Sequence, residues 1–290
     1  MASIKSGKSL QLDLPPSCIV FSQFPEYFVV GTYFLHRKEQ DEEDEAALSS
    51  AGKGQKRTGT LELFRLKDDE PQHLQTVPID SAILDIKFHA LTPRSRNLLA
   101  VGTSTGDLMF FHLDISSSTP KLVHKQTFSL HNDGTLILAV EWCATKFSCL
   151  GISCSNGCVY VLYLQPAVSG YEISEAVVTH DLEAWTLAFP GGPGRQGVLS
   201  GGDDAALRFS STLNPDDEDR IVWCDRKIHG AGVTAILPLE KNVIVTGSYD
   251  DHIRVIRTPD VGRREVLAEM NLDGGVWRLK SLWHGDEEGR

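Results

Sequence analysis

The chain has 290 residues, 41% of them hydrophobic and 23% charged, which is the composition of an ordinary globular protein with a sizeable core. Lys and Arg number 28 against 39 Asp and Glu, a net charge of −11 that argues against a phosphate track for nucleic acid and against an anionic membrane surface. No apolar run approaches the roughly 18 residues of a membrane span, and the start MASIKSGKSLQLDLPP lacks a signal-peptide core, so neither membrane insertion nor secretion is expected. Six cysteines without a CxxC pair are expected to be reduced thiols in a cytoplasmic protein, with no metal bound.

In chain order, CIVFSQ and YFVVGTYFL (residues 18–35) predict a first hairpin, and GTLELFRL (59–66) continues it. Between them, residues 36–58 form a charged insert in which six of the seven residues 39–45 are acidic. Like charges at that density repel, so a disordered loop within the first unit is expected. From there the chain repeats. Gly102, Ser153, Gly201 and Gly247 fall 51, 48 and 46 residues apart, each ahead of a polar turn and an apolar strand. A second ladder runs in phase, with His131, His180 and His229 49 residues apart, each before an apolar strand; Asp80 holds the equivalent place earlier. Four short strands in every 45–50 residues is the period of a β-propeller blade. GGVWRLKSLW (274–283) opens a further unit, followed by a charged tail, 284–290. The expected fold is all-β: one propeller domain spanning 1–290, with five repeats and the start of a sixth. An open ring leaves an edge to be covered, and the N-terminal segment is a candidate cover.

The pre-strand His and the acidic hairpin turn resemble the WD40 family, although the Trp-Asp pair that often ends the third strand is absent. Four segments are similar, more specifically, to the WD40 diphthine methyl ester hydrolases: HDLEAWTLAF (180–189), SGGDDAALR (200–208), TGSYDDHIRV (246–255) and GGVWRLK (274–280). That resemblance implies a seven-bladed ring, so this chain is expected to be incomplete by one or two blades. It implies hydrolysis of the methyl ester of methylated diphthine on translation elongation factor 2, giving diphthine and methanol ahead of a final amidation. It implies no cofactor, and as candidate partners the elongation factor and the amidating enzyme. The alternative is a non-catalytic WD40 scaffold that binds proteins on its top face.

In a WD40 blade the loop entering the first strand and the second hairpin turn share the top face. The matching segments therefore bring Glu183, Asp203, Asp251, His252 and Arg278 forward as candidate catalytic residues, with Trp185, Tyr249 and Trp277 as candidate substrate-binding residues. Carboxylates and aromatic faces suit a quaternary ammonium, a His or carboxylate can activate water, and an Arg can stabilise an oxyanion. The WD40 pattern assigns His180 with Asp204, and His229 with Ser248 and Asp250, to a structural hydrogen-bond network instead. Two motifs carry no chemistry. Gly102 to Gly106 matches G-x-S-x-G but lies on a hairpin rather than a strand–turn–helix, so Ser104 is not expected to be a nucleophile. Cys154 and Cys158 flank a turn without metal-ligand spacing, and core thiols are expected.

Overall fold

The computed structural model describes residues 7–36, 55–89, 97–117, 119–130, 134–143, 149–165, 170–172, 175–190, 196–213, 220–240 and 242–281. Most of the charged insert, His131 and the tail from residue 282 onward, Trp283 included, lie outside the described residues.

The described residues form strands, turns and loops, arranged as five antiparallel sheets in sequence order. Blade one contains β1 (Pro16–Phe21), β2 (Tyr27–Thr32), β3 (Phe34–Leu35), β4 (Arg57–Lys67) and β5 (Glu70–Ile79). Strand β4 thus takes the last two residues of the predicted insert, pairing Thr58 with Phe34 and Arg57 with Leu35. Blade two contains β6 (Ile83–Phe88), β7 (Leu98–Thr103), β8 (Asp107–Asp114) and β9 (Lys121–Ser129). Blade three contains β10 (Ile137–Trp142), β11 (Cys149–Cys154) and β12 (Cys158–Gln165), with β13 (Gly170–Glu172) and β14 (Val178–Thr179) sharing the outer edge of β12. Blade four is β15 (Ala184–Ala188), β16 (Gly197–Gly202), β17 (Leu207–Ser211) and β18 (Ile221–Asp225); blade five is β19 (Val233–Pro238), β20 (Val243–Ser248), β21 (His252–Arg257) and β22 (Glu265–Asn271).

Neighbouring sheets bury their facing surfaces against each other, so the core is a series of layers between blades. Val29, Leu61 and Leu63 of blade one meet Ile83, Leu99 and Phe111 of blade two. Phe110 of blade two meets Ile137, Trp142 and Leu150 of blade three. Val159 and Val161 of blade three meet Ala184 and Leu187 of blade four, and Leu199 and Phe209 of blade four meet Val233 and Ile236 of blade five. This is why β2, β11 and β16 are buried at every residue rather than alternating.

The repeated small residues have a steric cause. A Cβ on Gly31 would lie 2.6 Å from Ile83, on Gly102 2.7 Å from Ile137, on Gly201 2.6 Å from Val233, and on Gly247 2.5 Å from Val276. Each glycine is the seat for the residue that opens the next blade's innermost strand. Val276 occupies such a seat, so residues 276–280 stand where a sixth blade's inner strand would run, next to blade five.

The two sides of the opening differ. On blade one, Leu12 of the N-terminal segment packs against Phe28, Val30 and Phe64, so that segment covers part of the open face. On blade five every residue of β22 is exposed, Met270 at 62%.

Candidate functional site

The top of each blade is built from two recurring backbone features. The first is a hydrogen bond from the residue after the second strand to the loop before the first: Tyr33 to Pro15, Ser104 to Ala82, Ser155 to Leu136, Asp203 to Glu183 and Tyr249 to Gly232, all 2.8–3.0 Å. In blades two and three the side chain at this place is Ser, and its hydroxyl turns back to accept the Ala82 N–H at 3.0 Å and the Leu136 N–H at 2.9 Å. Ser104 is therefore a buried cap on a loop, and the G-x-S-x-G string lies on a hairpin turn. Blades four and five put Asp203 and Tyr249 there instead.

The second feature is a register shift one residue into each inner strand, between Ile83 and Asp85, Ile137 and Ala139, Ala184 and Thr186, and Val233 and Ala235. A bulge re-aims the side chain of its extra residue. In blade four that residue is Trp185, and in the segment seated on Gly247 the corresponding residue is Trp277.

These features bring three aromatic rings together. Trp185 and Tyr249 have centroids 6.1 Å apart at 80°, Trp185 and Trp277 5.6 Å apart at 84°, and Tyr249 and Trp277 4.9 Å apart at 85°. Three mutually perpendicular rings make the inside corner of a box. The Trp185 indole N–H donates to Asp203 Oδ1 at 3.1 Å, which fixes both the ring and a carboxylate at the corner. Burial and the neighbouring Asp203 charge raise the Tyr249 phenol, so it stays neutral. Trp277 is 52% exposed, leaving the corner accessible.

Two glycines make room for the tyrosine. A Cβ on Gly232 would lie 2.6 Å from Asp203 Oδ1 and 3.1 Å from the Tyr249 ring, and one on Gly275 would lie 3.3 Å from that ring. At Gly230 an added Cβ meets nothing closer than 3.6 Å. Gly232→Ala is therefore expected to displace Asp203 and the tyrosine and shift the intrinsic fluorescence of the aromatic corner, while Gly230→Ala leaves it unchanged; emission spectra of both variants check this.

The remaining candidates are placed as follows. The Glu183 carboxylate is half-buried, two residues from Trp185, and makes no hydrogen bond or ion pair among the described residues. Asp251 has φ +66°, the left-handed position of the β20–β21 turn, where blades two and three use Gly106 and Gly157. Its carboxylate also has no partner among the described residues. The His252 Nδ1–H donates to the Asp250 carbonyl at 2.5 Å. Among the described residues, no hydrogen bond, ion pair or ring contact joins Asp251 or His252 to the aromatic corner. Arg278 turns across the ring to blade two, with Nη1 3.1 Å from Asp85 Oδ1 and Nη2 donating to the Leu84 carbonyl at 3.0 Å.

The structural network is present in blade four. His180 Nδ1 lies 2.9 Å from Asp204 Oδ1 and Nε2 lies 2.8 Å from Ser200 Oγ. Arg208 Nη2 is 2.9 Å from Asp204 Oδ2, and the N–H groups of Asp181 and Ala206 also donate to this carboxylate. Burial alone would raise the Asp204 carboxyl, but the His180 hydrogen bond and charge outweigh it and hold it well below the usual range. Blade five needs a correction. His229 Nε2 bonds Thr246 Oγ1 at 2.9 Å, not Ser248, whose hydroxyl donates to the Ala231 carbonyl at 3.1 Å. Thr246 and Ser248 lie on one face of β20, two residues apart, and the imidazole reaches the inner one. Asp250 accepts from Gly230 N–H and from Arg254, and although burial opposes it these bonds hold its carboxyl down at about 2.

Burial, with the Arg254 charge behind it, pushes His229 down to about 4 from an ordinary 6.5. The unfolded chain then takes up this proton near 6.5 and the folded one only near 4, so stability is complete above 6.5 and falls as pH drops through that interval. At pH 5 the loss relative to pH 7.5 is expected to be about 2 kcal/mol, from about 1.4 kcal/mol per unit. The depressed Asp204 and Asp250 contribute nothing in this window, because their stabilisation is lost only below the unfolded carboxylate range. Urea titrations of wild type and His229→Gln at both pH values test the cause: equal losses in the two proteins would remove His229 from it.

Sequence reasoning missed Asp85, Gly232, Gly275, Arg208 and Arg254. The two arginines had a signal, since each stands four residues after its blade's turn aspartate, at the same step as Gly201 and Gly247. Among the described residues the six cysteines are free thiols, and burial pushes Cys154 up to about 12.

No family model matches the chain. Its sequence is similar to the human protein named diphthine methyltransferase, 28% identical over 277 residues and covering 88% of this chain and 57% of that protein. The mouse protein of that name is 27% identical, covering 88% of this chain and 53% of its own, and the yeast (Saccharomyces cerevisiae) protein 24%, covering 93% and 77%. The chain thus spans little more than half the length of the mammalian relatives it matches. Among solved structures it is similar in fold to Sqt1 of Chaetomium thermophilum, with TM-score 0.63, 13% identity, and coverage of 90% of this chain and 62% of that one. The WD40 β-propeller domain of Doa1 gives 0.61 at 11% identity, covering 92% and 73%. The chain accordingly has the fold of the WD40 β-propellers and is similar in sequence to proteins named diphthine methyltransferase.

Proposed function

We propose that the aromatic corner of Trp185, Tyr249 and Trp277, with Asp203 beside it, binds the trimethylammonium group of methylated diphthine on elongation factor 2, and that the protein hydrolyses the adjoining methyl ester. The corner is the observation that carries this reading. A quaternary ammonium has no N–H to donate, so selectivity for it rests on ring faces and a nearby negative charge rather than on hydrogen bonds. Perpendicular rings present such faces on more than one side, and Asp203, fixed by the Trp185 N–H, supplies the charge.

In the reaction, water adds to the ester carbonyl as a base removes its proton. The carbonyl π electrons move to oxygen, then return as the C–OCH3 bond breaks, and methoxide takes a proton and leaves as methanol. Glu183 is the proposed base, since its carboxylate is unpaired at the entry of the strand that carries Trp185. Arg278 spends two of its five N–H groups on blade two and keeps others for the developing oxyanion. The proposal includes cytoplasmic action and hand-over of the free acid to an amidating enzyme.

The relatives' name describes methyl transfer, and one experiment separates the directions. The protein is incubated with elongation factor 2 carrying methylated diphthine, with and without a methyl donor, and the modified peptide is followed by mass spectrometry. Loss of one CH2 unit with release of methanol, independent of the donor, is expected. An unchanged ester without donor, or a donor-dependent gain in mass, overturns the hydrolase reading. Capture of the elongation factor with no mass change in either arm would favour the scaffold.

A further inference from the structure

The segment from Val276 to Lys280 builds the aromatic corner and ties the ring across its opening at the same time. Val276 is seated on Gly247, its N–H donates to the Ser248 carbonyl at 3.1 Å, and its own carbonyl accepts the Thr234 hydroxyl at 2.5 Å. The next residue, Trp277, is the third wall of the corner. The residue after that, Arg278, leaves on the opposite side, as successive residues of an extended chain do, and pairs with Asp85 and the Leu84 carbonyl of blade two. Lys280 then donates to the Ile19 carbonyl of blade one.

Beyond Val276, then, three successive contacts determine where the backbone carrying Trp277 lies. Asp85 suits the task. Its side chain is 6% exposed, Oδ2 accepts the Val140 N–H of blade three at 3.0 Å, and Oδ1 faces Arg278. It is anchored by one blade and offers its second oxygen to the strap.

We propose that Asp85 is a positioning residue for the quaternary-ammonium site, acting through Arg278 to hold Trp277 as the third wall; this rests on the cage reading given above. Trp277 is half exposed and Arg278 45% exposed, so without the Asp85 carboxylate the strap beyond Val276 keeps only the neutral Leu84 and Ile19 carbonyls as its polar restraints. A ring displaced from the corner no longer presents its face to the cation, and the lost attraction falls on charged ligands. A neutral ligand of the same shape loses only apolar contact.

The test uses the full chain and two probes, choline and its uncharged isostere 3,3-dimethylbutanol, titrated by intrinsic fluorescence, with Tm measured alongside. Wild type is expected to prefer choline. Asp85→Asn, which keeps an acceptor for Val140, and Arg278→Met, which leaves Asp85 intact, are each expected to weaken choline binding about tenfold at nearly unchanged Tm, and to erode the preference over the isostere. Arg278→Lys is expected to restore part of the loss. In the Trp277→Ala background, Asp85→Asn is expected to have no further effect. Wild-type choline affinity in both Asp85→Asn and Arg278→Met, with Trp277→Ala impaired, overturns the positioning role and leaves the cage standing. No preference for choline in wild type overturns the cage itself, and the positioning role with it.

Discussion

Glu183→Gln is expected to lower kcat for the proposed methyl ester hydrolysis by about 10²–10⁴ while leaving KM and Tm close to wild type. The substitution keeps the side chain's shape and removes the carboxylate that would take the proton from water. The carboxylate has no partner among the described residues, so its removal breaks no ion pair and strands no buried cation. The backbone carbonyl of Glu183 still accepts the Asp203 N–H, so the turn that carries Asp203 keeps its support. A base acts in the transition state and not in ground-state binding, so the loss should fall on kcat. Asp203→Asn is the informative contrast. It keeps an acceptor for the Trp185 N–H but removes the charge facing the ammonium, so it should raise KM more than it lowers kcat. An unchanged kcat in Glu183→Gln with full turnover would move the base elsewhere, and Asp251 and His252 on the neighbouring turn would be the next to replace.

The fold was legible because its repeat is steric. Blades one, two, four and five need a small residue where the next inner strand lands, and Gly31, Gly102, Gly201 and Gly247 record that need. The pre-strand histidine is equally legible, since a buried imidazole must find partners on the facing strand. What failed in blade five was a choice between two hydroxyls on one strand face, Thr246 and Ser248, which no count along the sequence resolves. The aromatic trio was legible as three top-face residues, yet its perpendicular packing was not, because it depends on a bulge at Trp185 and on glycines flanking Tyr249. The Asp85–Arg278 pair joins the first strand of blade two to the segment after blade five through the curvature of the ring. Nothing local in either segment marks the other.

The largest stability effect is expected at Asp204, where Asp204→Ala should cost about 3–5 kcal/mol in urea titration at neutral pH. The Asp204 side chain is 3% exposed and that of Arg208 6%, so the guanidinium sits in a place where solvent cannot replace the lost carboxylate. Its other polar contact among the described residues, the Thr179 carbonyl at 2.5 Å, is neutral and cannot balance the charge. His180 also loses its Nδ1 partner, and the N–H groups of Asp181 and Ala206 lose their acceptor. Asp204→Asn is expected to cost less, about 1–3 kcal/mol, because one amide oxygen still accepts while the charge is gone. The double variant Asp204→Ala, Arg208→Met removes the stranded cation as well as its partner and should recover part of the single-variant loss, giving a coupling of at least about 1 kcal/mol. Additive losses would mean that the pair is not the source of the effect, and a cost below about 1 kcal/mol for Asp204→Ala would mean that water reaches Arg208. The outcome bears on the site as well, since Asp203 and the β16–β17 turn hang on this network: a variant that keeps the blade folded with the turn loosened should lose choline affinity in proportion to how far Asp203 leaves the Trp185 N–H.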